Sequence, residues 1–319
     1  MNIAFLLGAA GLGLLALAGS KKTPSRPDTA PGQPSPGPGT PPPSGGGGSC
    51  FVPGCGGNMS GSGDGLEWAA QLPGGPTPAR EKAILEAVER GDAKIDWSTV
   101  RVSIPGYSGT VHVFARTMRI GQTNPVRVQV NYESAQRLCD MLGCAMMTPL
   151  VADKTHEQSI VKLAAMPMSD WVLDRTMAST KRMVEYSQKL DKLVDPRDIR
   201  LVSNESKHWV VTKRFWADPD PAKRFPPSKR SANYGWWSKQ APNGRLWQST
   251  GLAHDWYHTD YSQQVVLMSQ YMDIDGLGSV HVGSVLKHPK LHALLSNEGP
   301  LESWAHPAFN KTSPTLDIA

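Results

Sequence analysis

Thr77-Pro-Ala-Arg-Glu-Lys-Ala-Ile-Leu-Glu-Ala-Val-Glu-Arg-Gly91, followed by Val100-Arg-Val-Ser-Ile-Pro-Gly-Tyr-Ser-Gly-Thr-Val-His-Val-Phe-Ala-Arg-Thr-Met-Arg-Ile120, holds the change of period that decides the fold. In the first segment Thr77 is placed to cap a helix and Pro78 takes its first position. Ile84, Leu85 and Val88 recur at helical spacing, and Gly91 stops it. In the second, β-rich runs replace that spacing. Val100 to Ile104, Thr110 to Ile120 and then Pro125 to Val130 read as antiparallel strands, broken by Pro105-Gly106 and by Gly121.

Toward the C-terminus the helical period returns. Helices are expected at Glu133 to Leu142, at Pro149 to Lys162 behind Thr148, and at Ser169 to Leu190 with Ser169-Asp170 ahead of Trp171. Strands follow at His208 to Phe215, Ala232 to Trp237 and Ser262 to Met272. An Asp275-Gly276 turn then leads into Ser279 to Val282, and a short helix is expected around Lys290 to Leu295. The sum is an α+β fold, a mixed body of antiparallel strands with a helical middle. Its α+β portion spans 66–195 and its β-rich aromatic and basic portion 196–319.

Toward the N-terminus the pattern disappears. Residues 21–65 form a Pro/Gly/Ser-rich linker, stiff from Pro31 to Pro43 and flexible from Gly45 to Gly48. Roughly 30 such residues in polyproline II, at ~3.1 Å each, reach ~90 Å. Residues 1–20 hold an apolar stretch, Ile3 to Ala18, short for a spanning helix and suited to a signal-peptide core, with Ala16-Leu17-Ala18 as a cleavage site. Lys21, Lys22 and Arg26 follow the stretch, so a retained anchor would place the body on the cytoplasmic side. The expectation is an exported or membrane-tethered protein. Cys50 and Cys55, around a Pro53-Gly54 turn, suit a small disulfide loop in an oxidising compartment. Cys139 and Cys144 read either as buried thiols or as a second bridge.

Charge is concentrated. From Lys207 to Arg245 nine Lys and Arg stand against Asp218 and Asp220, a net +7 within a chain whose total is +5. Six of the ten tryptophans, Trp209, Trp216, Trp236, Trp237, Trp247 and Trp256, lie between Trp209 and Trp256. Flat rings stack on sugars, and Lys or Arg hold anionic groups, so the mixture suits a glycan or peptidoglycan groove as well as a plain core. Trp209, Trp236, Trp256, Tyr234 and Asn233 are the candidate substrate contacts. Export and the lack of a recognition motif argue against a nucleic-acid partner.

The densest chemical segment is His254-Asp255-Trp256-Tyr257-His258-Thr259-Asp260-Tyr261-Ser262. As a helix it would pair His254 with His258 at i,i+4, spaced to share a metal. As the entry to the next strand it would put His258, Asp260 and Ser262 on one face. A histidine beside a carboxylate is an acid-base couple. With His254 or His208 it is also a partial Zn²⁺ site that keeps a position for water. The catalytic candidates are therefore His258, Asp260, His254, Asp255 and His208, with His254 and His258 as metal candidates; turn and rim roles remain open for all of them. No P-loop, Gly-x-Ser-x-Gly or His-Glu-x-x-His is present. Ser206-Lys207-His208 offers a weaker Ser/Lys reading. Together these features predict an envelope-directed hydrolase acting on peptidoglycan or a related glycan or peptide, reaching it from a membrane through the N-terminal segment. The alternative is a non-catalytic surface or virion component that binds envelope material or a protein partner.

Overall fold

The computed structural model describes residues 63–168, 177–217, 225–238, 245–309 and 311–316. The N-terminal apolar segment, the linker up to residue 62, the Cys50/Cys55 pair and the Ser169-Asp170 cap all lie outside the described residues. No helix among the described residues is long and apolar enough to cross a membrane.

The period change at residue 91 is realised as expected. Helix α1, Pro78–Glu89, is capped by the Thr77 hydroxyl, which accepts the Arg80 amide. Strands β1, Trp97–Ile104, and β2, Tyr107–Phe114, pair antiparallel residue by residue, Ile104 opposite Tyr107. Pro105-Gly106 closes this hairpin with Gly106 at φ +83°, the proline-then-left-handed-glycine order of a type II turn. Val100, Val102, Val111 and Val113 point inward while Thr99, Arg101 and Ser103 face out, the alternation that fixes register.

Helix α2, Tyr132–Leu142, ends at Gly143 in the left-handed conformation and leads into β3, Cys144–Met146. The core strand β7, Leu267–Ile274, brings the two portions into one sheet, pairing with β2 and β3 and, through the Asp275-Gly276 turn, with β8, Gly278–His281. At Gly109 on β2 a Cβ would meet the Asp273 carbonyl at 2.6 Å, so a side chain there would push the two strands apart. A second antiparallel sheet has the order β6–β5–β4, where β4 is His208–Trp209, β5 Asn233–Trp237 and β6 Leu246–Gly251. The protein is thus an α+β fold with several antiparallel sheets and seven α-helices among the described residues.

Several boundaries differ from the periodic reading, each for a local reason. Helix α3, Pro149–Gln158, stops short of Lys162 because Val161–Lys162 pairs in parallel with Val202–Ser203. Helix α4, Thr180–Asp191, is capped by Ser179. The strand at His208 ends after Trp209; Glu298 then accepts the Thr212 hydroxyl and the Lys213 amide, and Arg214–Ala217 turns helical. Cys139 and Cys144 are buried thiols that form no second bridge, and burial pushes the Cys139 thiol well up.

A buried charge cluster joins α4, the short strands Arg119–Ile120 and Val126–Arg127, and the segment around Glu205. Arg119 and Arg127 sit directly opposite each other across that strand pair, fully buried, an arrangement that like charges disfavour. Carboxylates resolve it: Arg119 pairs with Asp96, Arg127 with Asp191 and Glu205, and Arg116 with Glu205. Burial alone would raise the Glu205 carboxyl, but Arg127 and Arg116 outweigh it and hold the group at about 2.

Candidate active site

The His/Asp segment is neither helix nor strand. Residues 252–262 form a loop, and β7 begins only at Leu267. The reason is local hydrogen bonding. Asp255 accepts the Tyr257 amide, the Asp260 and Gln263 backbones and the Gln263 side chain bond reciprocally, and Asp260 Oδ1 accepts both the amide and the hydroxyl of Ser262. Asp and Ser compete in this way with the sheet ladder. The loop is tied down by the Lys207 amide, which donates to the Ser262 carbonyl at 2.7 Å.

That anchor brings a constellation together. Asp260 Oδ2 lies 3.9 Å from His258 Nε2 and 3.9 Å from Lys207 Nζ. His254 and His258 stack face to face, their rings 3.7 Å apart and 7° from parallel. Burial first, then the neighbouring His254, push His258 down to about 4, with Asp260 and Asp255 opposing and Lys207 reinforcing the shift. His254 is lowered by burial as well. His258 is therefore neutral at pH 7.

Beside this group is a cavity of about 420 Å³ lined by Lys207, Trp236, Trp247, Gln248, Tyr261 and Ser262, with Pro167 and Met177. Its aromatic wall depends on a break in β5. The pairing of β5 with β6 shifts between Asn233 and Gly235, and both Gly235, at φ +107°, and Trp236, at φ +66°, are left-handed. For a tryptophan this conformation costs on the order of 1–3 kcal/mol. The break lets Tyr234 and Trp237, three residues apart, share one side with rings 6.0 Å apart, which a period of two forbids. Trp236 is released to the other side, against Tyr261 and under Lys207 Nζ, 4.9 Å from the ring centroid.

The remaining sequence candidates do not join this group. His208, next to Lys207 on the chain, faces the opposite side with Trp237 and His156; burial and His156 hold it at about 4, and its Nδ1 has no hydrogen-bond partner. Trp209 is a core residue, its indole donating to the Val130 carbonyl at 3.0 Å and packing edge-on to Tyr132. Trp256 packs between Tyr257, His306 and Phe309 of the C-terminal segment. Tyr234 donates to Asp153 at 2.8 Å, and burial followed by that bond drives its phenol upward. Asn233 is buried beside Gly251, where a Cβ would meet its Oδ1 at 2.7 Å. Asp255 is on the loop, but its Oδ1 serves the Tyr257 turn.

Conversely, Tyr261 and Gln248 line the cavity without having been singled out, and Lys207, Ser262 and Trp247 line it although they were noted only for the Ser/Lys reading, for the face shared with His258 and among the clustered tryptophans. The Asp-x-Ser turn at 260–262 was the one local signal available. Lys207 needed the pairing of segments more than fifty residues apart. For zinc the donor set does not fit. Among the described residues no three His, Cys, Asp or Glu side chains are placed to hold a metal ion. The parallel stacking of His254 and His258 also puts their in-plane lone pairs in separate planes, where they do not converge. Comparison with family models, with curated proteins and with solved structures finds no match to this chain.

Proposed function

We propose that this chain is an envelope-directed hydrolase that cuts peptidoglycan or a related glycan or peptide, with Asp260 and His258 as its acid-base pair. The observation that carries the reading is the convergence of His258 and Lys207 on Asp260, directly beside an aromatic cavity that Lys207 and Ser262 line. A neutral His258 accepts a proton from water as the water oxygen attacks the scissile centre, and Asp260 stabilises the imidazolium that results. The proton then passes to the leaving group. Asp260 is suited to this because Ser262 fixes Oδ1 and leaves Oδ2 facing the imidazole. The separation of 3.9 Å is longer than a hydrogen bond, and catalytic contacts of this kind shorten when substrate closes the site. Trp236 and Trp247 offer ring faces to a sugar or peptide plane. The apolar segment and long spacer at the N-terminus support presentation from a membrane toward the envelope.

A second reading, a non-catalytic surface or virion component that binds envelope material, is favoured by the same 3.9 Å separations and by the placement of His208 and Trp209 outside the cavity. Incubating purified sacculi with the full chain distinguishes the two. The hydrolase reading expects soluble fragments, reduced at least about 100-fold in His258→Ala, the scale of general acid-base catalysis. Sedimentation with sacculi and no release, with or without added Zn²⁺, establishes the binding reading instead.

A further inference from the structure

Lys207 is half-buried at the cavity, and its ammonium has little bonding within the protein. Its side chain is 15% exposed, and its contacts at ion-pair or ring distance are Asp260 Oδ2 at 3.9 Å and the Trp236 face at 4.9 Å. Neither is a hydrogen bond, so the three donors of the ammonium have no protein partner among the described residues. Asp260 Oδ2 is also shared with His258, and its other oxygen is occupied by Ser262. Among the described residues that line the cavity Lys207 is the one basic side chain, and none is a carboxylate. The same cavity is lined by indole and phenol rings and by Gln248 and Ser262.

We infer that the cavity selects a saccharide bearing a carboxylate, the sugar face lying on Trp236 and Trp247 and the carboxylate taking the unused donors of Lys207. A charge-assisted bond of this kind is stronger where water is excluded, and the aromatic faces orient the ring that carries the acid. The inference rests on the proposed function only in taking the cavity as the substrate site; the selectivity follows from the cavity itself.

The test uses the full wild-type chain and two monosaccharides that share a ring, N-acetylmuramic acid with its lactyl carboxylate and N-acetylglucosamine without it. Neither contains a bond to be cut. Calorimetric titration at low salt is expected to show at least a tenfold preference for the acid. The preference should vanish for the primary amide of the acid, and should fall below twofold in Lys207→Met, which keeps an apolar stem over Trp236. Equal affinity for acid and neutral sugar, an unchanged preference in Lys207→Met, or saturable binding of neither sugar overturns the inference. Should Lys207→Met not fold, the amide comparison on the wild type decides alone. Acid preference without fragment release from sacculi leaves this inference standing and removes the hydrolase reading; release without acid preference does the reverse.

Discussion

The two charge clusters of this molecule, one around Glu205 and one around Asp260, are built from the same residue types and finished differently. Glu205 is buried and accepts six hydrogen bonds, from Arg116, Arg127 and Thr117, so that no lone pair is left over. Asp260 is almost as buried, yet only one of its oxygens is bonded; the other faces a lysine and a histidine at 3.9 Å. Saturation marks a cluster that fixes where segments meet, here joining the short strands at 119–120 and 126–127 to α4 and the chain at 205. Incomplete satisfaction beside a cavity marks one with bonding capacity for something else.

The contrast can be broken most directly at Glu205. Replacing it with Ala leaves Arg116 and Arg127 buried without their shared partner, and a loss of about 3–5 kcal/mol in unfolding free energy is expected, read from urea titration. A loss under ~1 kcal/mol would contradict a structural role. The sign of the acid dependence follows as well. Because the folded carboxyl is held at about 2, below its ordinary 4.5, its contribution is complete above that ordinary value and is lost as pH falls through about 2.

Histidine gives the next effect. His208 is held at about 4 by burial and by His156, below its ordinary 6.5, so the unfolded chain binds a proton there that the folded chain refuses. Stability should fall as pH drops from 6.5 toward 4, by up to about 3 kcal/mol for this residue. Burial holds His306 at about 4 too, although the Arg230 carbonyl opposes it, so His208→Gln should flatten only part of the slope. Urea midpoints at pH 7 and pH 5 check this, and an unchanged slope would remove His208 as a contributor.

The smallest effect sharpens the comparison most. Lys207→Met should change unfolding free energy by no more than about 1 kcal/mol in either direction, because a half-buried ammonium with little bonding inside the protein contributes little when an apolar chain replaces it. Arg127→Met, in the saturated cluster, should cost several-fold more in the same measurement. Similar losses for both would mean that the Lys207 group is as structural as the Glu205 group.

Much of the fold was legible where a residue's role is local. Thr77 with Pro78, Thr148 with Pro149, Pro105-Gly106 and Asp275-Gly276 each act through their own backbone, and each does in the structure what the sequence predicts. The strand expected from Ser262 starts five residues late because side-chain bonds of Asp260 and Gln263 override β propensity, a competition that periodicity does not register. The site was half legible. His258 and Asp260 stood out by type and spacing, but composition cannot separate Trp236 from Trp209, since a left-handed bulge sends one to a cavity and regular pairing sends the other to the core. Lys207 was legible only as one of nine basic residues and within the weaker Ser206-Lys207-His208 reading, since its place beside Asp260 comes from Ser262 and Trp236 being brought next to it.

Fragment release from purified sacculi by the full chain and by Asp260→Asn, each with its unfolding midpoint, tests the central claim. Asn keeps an oxygen for the Ser262 amide and removes the charge facing His258. Release is expected to drop by about 10²–10⁴ while stability stays within about 1 kcal/mol. Wild-type turnover retained in a folded Asp260→Asn chain would contradict the assignment of Asp260 and His258 as the acid-base pair.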